Sequence, residues 1–160
     1  RDPEMSRGLG DVYKRQDMED ARAQMAYGLS VCDILKISDN EIQWFSGKED
    51  YTEGIHMLQQ TYQIPFILLS MGRDGSRAYY KDMLVEVPAF LQKNTIETTG
   101  AGDTFGACCL HHILKYGLDN LTKQQLKEML TFANAAASII TTRKGALRVM
   151  PSLEEIQRLL

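Results

Sequence analysis

The chain has 160 residues, 44% hydrophobic and 24% charged, with a net charge of −3. The apolar fraction excludes a natively disordered chain and suffices for one domain with its own core. The slight acidity and scattered Lys and Arg argue against a nucleic-acid surface, and no run approaches the roughly 18 apolar residues of a membrane span.

Residues 1–16 are polar, rich in Arg and Gly, and show no period. They read as a non-native or disordered leader, with no secretory-signal pattern, ahead of a domain over 17–160. Ala21, Met25 and Leu29 recur every four residues and predict a helix over 17–30. Cys32 to Ile37 is a short aliphatic run and predicts a strand. Ser38-Asp39-Asn40-Glu41 spells a capping box, so a helix follows and ends near Gly47. Asp50 starts another, with Ile55, Leu58 and Tyr62 inward, and Pro65 to Ser70 is a buried strand. The order α-β-α-α-β predicts a largely parallel sheet with helical crossovers.

Ala78 to Tyr80 and Leu84 to Val87 flank Lys81–Met83, which predicts a hairpin. Asn94 to Glu97 reads as extended. Thr104 to Tyr116 is helical, with Phe105, Cys108, Cys109, His112 and Ile113 as inward candidates. Thr122 opens a long helix towards Thr141, whose Ala133 and Ala135–Ala137 predict close packing. Ser152 to Glu155 caps a closing helix.

Three cysteines, two of them adjacent, make no disulfide framework and fit a reducing, cytoplasmic compartment. Without a Cys-x-x-Cys pair a structural zinc site lacks support. His111 and His112 are neighbours on a helix, so they diverge by about 100° and do not share one ion.

The informative stretch is Glu97-Thr98-Thr99-Gly100-Ala101-Gly102-Asp103-Thr104-Phe105-Gly106, between an extended segment and a helix. Gly100 and Gly102 allow a positive φ and a close ligand approach. The helix start offers free N–H groups and a positive dipole end, which suit phosphate. A carboxylate there, Asp103, can hold a metal or take a proton from an attacking hydroxyl; it can equally be a plain cap. A second glycine turn, Ser70 to Ser76, follows a strand, where α/β sheets bind nucleotides, and can also be a simple connection. Glu41 can bind Mg2+ through water and close the capping box at once.

Together these motifs resemble the PfkB-type, ribokinase-like carbohydrate kinases. The resemblance runs from about Asp17 to Leu160 and rests chiefly on Thr98 to Phe105. It is supported by Lys36-Ile37-Ser38-Asp39-Asn40-Glu41, by Ser70-x-Gly72-x-x-Gly75, and by Thr142 to Ala146 followed by Pro151. Within the family the wording most resembles bacterial fructokinases. The implied fold is a three-layer α/β/α with a mostly parallel sheet, incomplete here as its C-terminal half.

The implied reaction is ATP-dependent phosphorylation of a sugar, fructose first, with ribose or a nucleoside as the alternative acceptor. A nucleotide-binding module without catalysis is the reading from another class. By resemblance Asp103 is the base, and the amides of Gly100, Ala101, Gly102 and Asp103 form the anion hole. Ser70, Gly72 and Gly75 line the ATP ribose and phosphates, and Asn134 and Ser138 border adenine. Glu41 organises Mg2+. Glu97, Thr99 and the Arg143–Ala146 loop surround a monovalent cation such as K+, although Glu97 stands where the family usually has Asp. The partners implied are sugar and ATP, without nucleic acid or membrane, in a full-length homodimer.

Overall fold

The computed structural model describes residues 3–145 and 147–160, with side chains described for 17–145 and 148–160. The expected leader therefore has its first two residues and all its side chains outside the described residues, and Ala146 of the expected cation loop lies outside them too.

Helix α1 (Pro3–Val31) leads into strand β1 (Ile34–Ser38). Cys32, expected to open that strand, instead donates its thiol to the Leu29 carbonyl at the end of α1. Helices α2 (Asp39–Ser46) and α3 (Tyr51–Tyr62) follow. A left-handed Gly47 ends α2 and Gln63 ends α3, two residues before Pro65. Strand β2 (Phe66–Ser70) pairs in parallel with β1, in register from Ile34–Phe66 to Ser38–Ser70. The two intervening helices form the crossover that a parallel pair requires.

The expected hairpin is β3 (Ser76–Tyr80) and β4 (Met83–Val87), joined by a two-residue turn at Lys81 and Asp82. Sheet order is β1-β2-β3-β4. The sheet expected to be mostly parallel is mixed in this part of the fold, because five residues link β2 to β3 and two link β3 to β4. Such short links permit only antiparallel return.

Helices cover both faces. On one face Leu29 of α1, Ile42, Ile55 and Leu58 pack on Ile37, Ile67 and Leu69. On the other, α4 (Ala101–Tyr116) and α5 (Lys123–Ile140) bring Phe105, Cys109, Leu126 and Met129 onto Phe66, Leu68 and Val85. These are the three layers expected. The alanine-rich end of α5 allows α6 (Leu153–Leu159) to seat Ile156 on Ala135 and Ala136. Asn94 to Glu97 joins no strand. Its Ile96 and Glu97 amides donate to the Thr141 carbonyl at the end of α5. No helix among the described residues is long and apolar enough to cross a membrane.

Candidate active site

Strands β1 and β2 end side by side at Ser38 and Ser70, and a cavity of about 580 Å³ opens beyond them. Its walls include Gly72 and Gly75 from the turn after β2, Ala101 and Gly102 from α4, and Asn134 and Ser138 from α5. Seven residues singled out in the sequence thus meet in one place, at the carboxyl ends of the parallel pair. Gly100, Asp103, Glu41, Glu97 and Thr99 do not line it.

The turn at Met71–Gly75 is closed by the Met71 amide donating to the Gly75 carbonyl at 2.8 Å. Gly75 has φ +103, and a Cβ there would lie 2.1 Å from the Val87 carbonyl oxygen, so only glycine fits. Asn134 is buried and donates through Nδ2 to the Val87 and Pro88 carbonyls, at 3.2 and 3.1 Å. It pins α5 to the end of β4 and so fixes the far wall. Ser138 receives a hydrogen bond from Gln92 at 3.1 Å, which tethers the loop after β4 across the cavity.

The start of α4 differs from those of α2, α3, α5 and α6. Gly100 is left-handed, φ +78, and provides no side-chain cap. The Ala101 amide donates to the Thr98 carbonyl at 3.2 Å, and the Thr104 amide to Gly100. The amides of Gly102 and Asp103 have no partner among the described residues. Two N–H groups and the positive end of a 16-residue helix therefore open beside the cavity. Asp103 is exposed in this first turn. Gly102 is helical rather than positive in φ. A Cβ there would lie 3.1 Å from the Lys36 ammonium nitrogen, which would have to yield by a few tenths of an ångström.

Glu41 closes the expected capping box. Its Oε2 accepts from the Ser38 amide at 2.7 Å, while Ser38 Oγ accepts from the Glu41 amide at 3.2 Å. Burial pushes the carboxyl up, but the Ser38 hydrogen bonds and the Lys36 charge outweigh it and hold it below its ordinary range. Glu97 takes the Gly145 amide at 2.6 Å and so fastens the loop after α5. Thr99 is exposed beside the start of α4. Among the described residues no three His, Cys, Asp or Glu cluster as a metal cage. His112 is buried, with Nδ1 3.0 Å from the Cys108 carbonyl oxygen.

Sequence reasoning missed Lys36, Arg73, Phe90 and Gln92 in the cavity wall. Lys36 carried a signal, a cation inside an aliphatic strand. The loop after β4 carried none.

The model of the pfkB family carbohydrate kinases matches residues 9–153. The chain belongs to this family. Fructokinase-1 of Zea mays is 31% identical over 142 residues, covering 89% of this chain and 44% of that protein. The fructokinase of Klebsiella pneumoniae is 32% identical over 144 residues, covering 89% of this chain and 46% of the relative. A crystal structure of fructokinase from Vibrio cholerae O395, in fructose, ADP and calcium ion bound form, superposes with a TM-score of 0.80. It is 25% identical and covers 89% of this chain and 45% of its own. The ribokinase-like fold is thus present in part. This pfkB chain spans less than half the length of the curated relatives it matches.

Proposed function

We propose that the whole protein transfers the terminal phosphoryl group of ATP to a sugar hydroxyl, with fructose as the acceptor. One observation carries the reading: the uncapped start of α4 opens on the cavity beyond β1 and β2, with the Asp103 carboxylate in its first turn. The fructokinase relatives favour fructose over the ribose alternative.

In this reading Asp103 takes the proton of the acceptor hydroxyl as its oxygen forms the new bond to phosphorus. The bond from that phosphorus to the bridging oxygen breaks, and ADP leaves with the electron pair. The transition state is loose and its charge spreads over the equatorial oxygens. The Gly102 and Asp103 amides, already oriented, stabilise that charge without reorganising. A carboxylate at a helix start is a weak base, which suffices when the proton leaves late.

The turn at Gly72–Gly75 flanks the nucleotide phosphates, and Asn134 and Ser138 border the base. The donor set fits Mg2+, which needs one or two carboxylates plus phosphate and water rather than a cage. Glu41, kept ionised by Ser38, would hold it. The bound ion supplies neutralisation of phosphate charge. Glu97 and the loop at Gly145 are the place for a monovalent cation such as K+.

The test is ADP release by the full-length protein with fructose, ribose and no sugar. Fructose-dependent turnover supports the reading, and ribose-dependent turnover moves it to the alternative acceptor. ATP binding without any sugar-stimulated turnover overturns it in favour of a nucleotide-binding module. The 160-residue segment alone is expected to turn over no sugar in the same assay.

A further inference from the structure

Lys36 sits in the middle of β1, where its neighbours Leu35 and Ile37 pack against the α1–α3 side of the sheet. Side chains alternate along a strand, and Ile34 packs on the opposite side, with α4 and α5. Lys36 shares that side. Beneath α4 it meets two glycines one turn apart. A Cβ at Gly106 would lie 3.9 Å from Lys36 Cγ, and a Cβ at Gly102 would lie 3.1 Å from Nζ. The stem therefore runs along the glycine face of α4, and the ammonium emerges at Gly102 in the cavity wall.

That placement is electrostatically unfavourable by itself. The N-terminus of a helix carries positive partial charge, so a cation beside it is repelled. The Glu41 carboxylate, whose ionised form Lys36 favours, relieves only part of it. Among the described residues Lys36 forms no ion pair, and the Glu41 carboxylate nearby is hydrogen-bonded to the Ser38 amide. Arg73 adds a second cation to the same walls. Lys36, Arg73 and Gly102 with its unbonded amide line one cavity, and an anion with several charged oxygens can satisfy them together.

We propose that Lys36 binds the terminal phosphate of the nucleotide, and that the absence of a Cβ at Gly102 leaves its ammonium room at the start of α4. The inference rests on the kinase reading above and adds to it a residue and a use for the glycine at position 102. Each phosphate that the nucleotide loses removes part of the contact, so the benefit falls in the order ATP, ADP, AMP.

The experiment uses the full-length protein with Lys36→Met, which keeps the stem and drops the charge, and Lys36→Arg, which keeps the charge. Calorimetric titration with ATP, ADP and AMP is paired with thermal unfolding of the nucleotide-free protein. Lys36→Met is expected to weaken ATP binding roughly 10- to 100-fold, the range for a charged hydrogen bond, and AMP binding less than twofold. Its nucleotide-free unfolding temperature stays level or rises, because a repelled cation is gone. Lys36→Arg recovers part of the ATP affinity.

Equal losses for ATP and AMP, or ATP affinity within twofold of wild type, overturn the proposal. A drop in nucleotide-free stability with equal nucleotide losses assigns Lys36 to packing alone and overturns it as well. Wild type that binds ATP but phosphorylates no sugar defeats the kinase reading and leaves the ATP–AMP contrast standing. Wild type that binds no ATP defeats both.

Discussion

Helices α2 and α4 begin at the same cavity and are built in opposite ways. Ser38 and Glu41 bond each other's amides reciprocally at the start of α2, and Asp50, Thr122 and Ser152 accept amides at the starts of α3, α5 and α6. The start of α4 has a left-handed glycine and two amides without partners among the described residues. A capped start is satisfied from within and holds shape. An uncapped one leaves donors that only an outside group can satisfy. The lysine brought to that same end sharpens the contrast, since it adds charge of the sign the helix already presents.

The contrast is most exposed to Asp103→Asn. If the start of α4 performs chemistry, the full-length variant loses turnover by about 10²- to 10⁴-fold and keeps its unfolding temperature. Full activity in a sugar-dependent ADP assay would remove Asp103 from the mechanism. Gly102→Ala comes next. Alanine favours a helix over glycine by about 1 kcal/mol, so stability holds or rises. The new Cβ displaces the Lys36 ammonium by a few tenths of an ångström, and ATP-dependent turnover should fall by about tenfold, as misplacing a positioned group does. Unchanged turnover in that variant means the ammonium position is irrelevant. Ser38→Ala acts on the capped start and should cost about 1 kcal/mol in a urea titration. A loss below a few tenths would show that α2 does not depend on its cap.

Capping made much of the fold legible. Ser38, Asp50, Thr122 and Ser152 each announce a helix by side-chain chemistry with one local outcome, and each stands at its cap. Aliphatic runs located β1 and β2 because burial on both sides of a sheet leaves continuous apolar sequence. The parallel pair was legible in the helix-strand order and the hairpin in the two short runs around Lys81–Met83; that both belong to one sheet was not. Asn94–Glu97 looked extended, but it joins no strand, and its Ile96 and Glu97 amides bond to the end of α5. A backbone partner 44 or more residues away leaves no local mark.

The same holds for the site. The glycine turns and Asp103 were visible because backbone conformation and charge are local properties. The cavity wall at Phe90 and Gln92 was not, because an irregular loop is placed by its tether to Ser138 on α5. The positive φ expected at Gly102 is not found. A sequence shows that a residue lacks a Cβ, but it does not show that a lysine 66 residues earlier fills the space.

The smallest expected effect tests a capped start that also bears charge. At α6, Glu155 accepts the Ser152 amide at 2.8 Å and pairs with Arg143, which also donates to the Val149 carbonyl at 3.0 Å. The Ser152 amide first, and the Arg143 guanidinium after it, hold the Glu155 carboxyl below its ordinary range. A carboxyl lowered by folding contributes stability that is complete above its unfolded pKa and is lost as pH falls through the folded one. Glu155→Gln keeps an acceptor for Ser152 and loses the charge that faces Arg143. The gap in urea midpoint between wild type and variant should therefore be greatest at pH 7 and close as the pH falls towards 3. A gap constant across that range would mean the ion pair contributes nothing and the amide contact alone seats α6. Glu155 is partly exposed, so the gap stays small even at pH 7. A satisfied helix start near solvent changes stability by little. On this contrast the unsatisfied start at α4 is where single-residue changes should be felt most, in turnover rather than in stability.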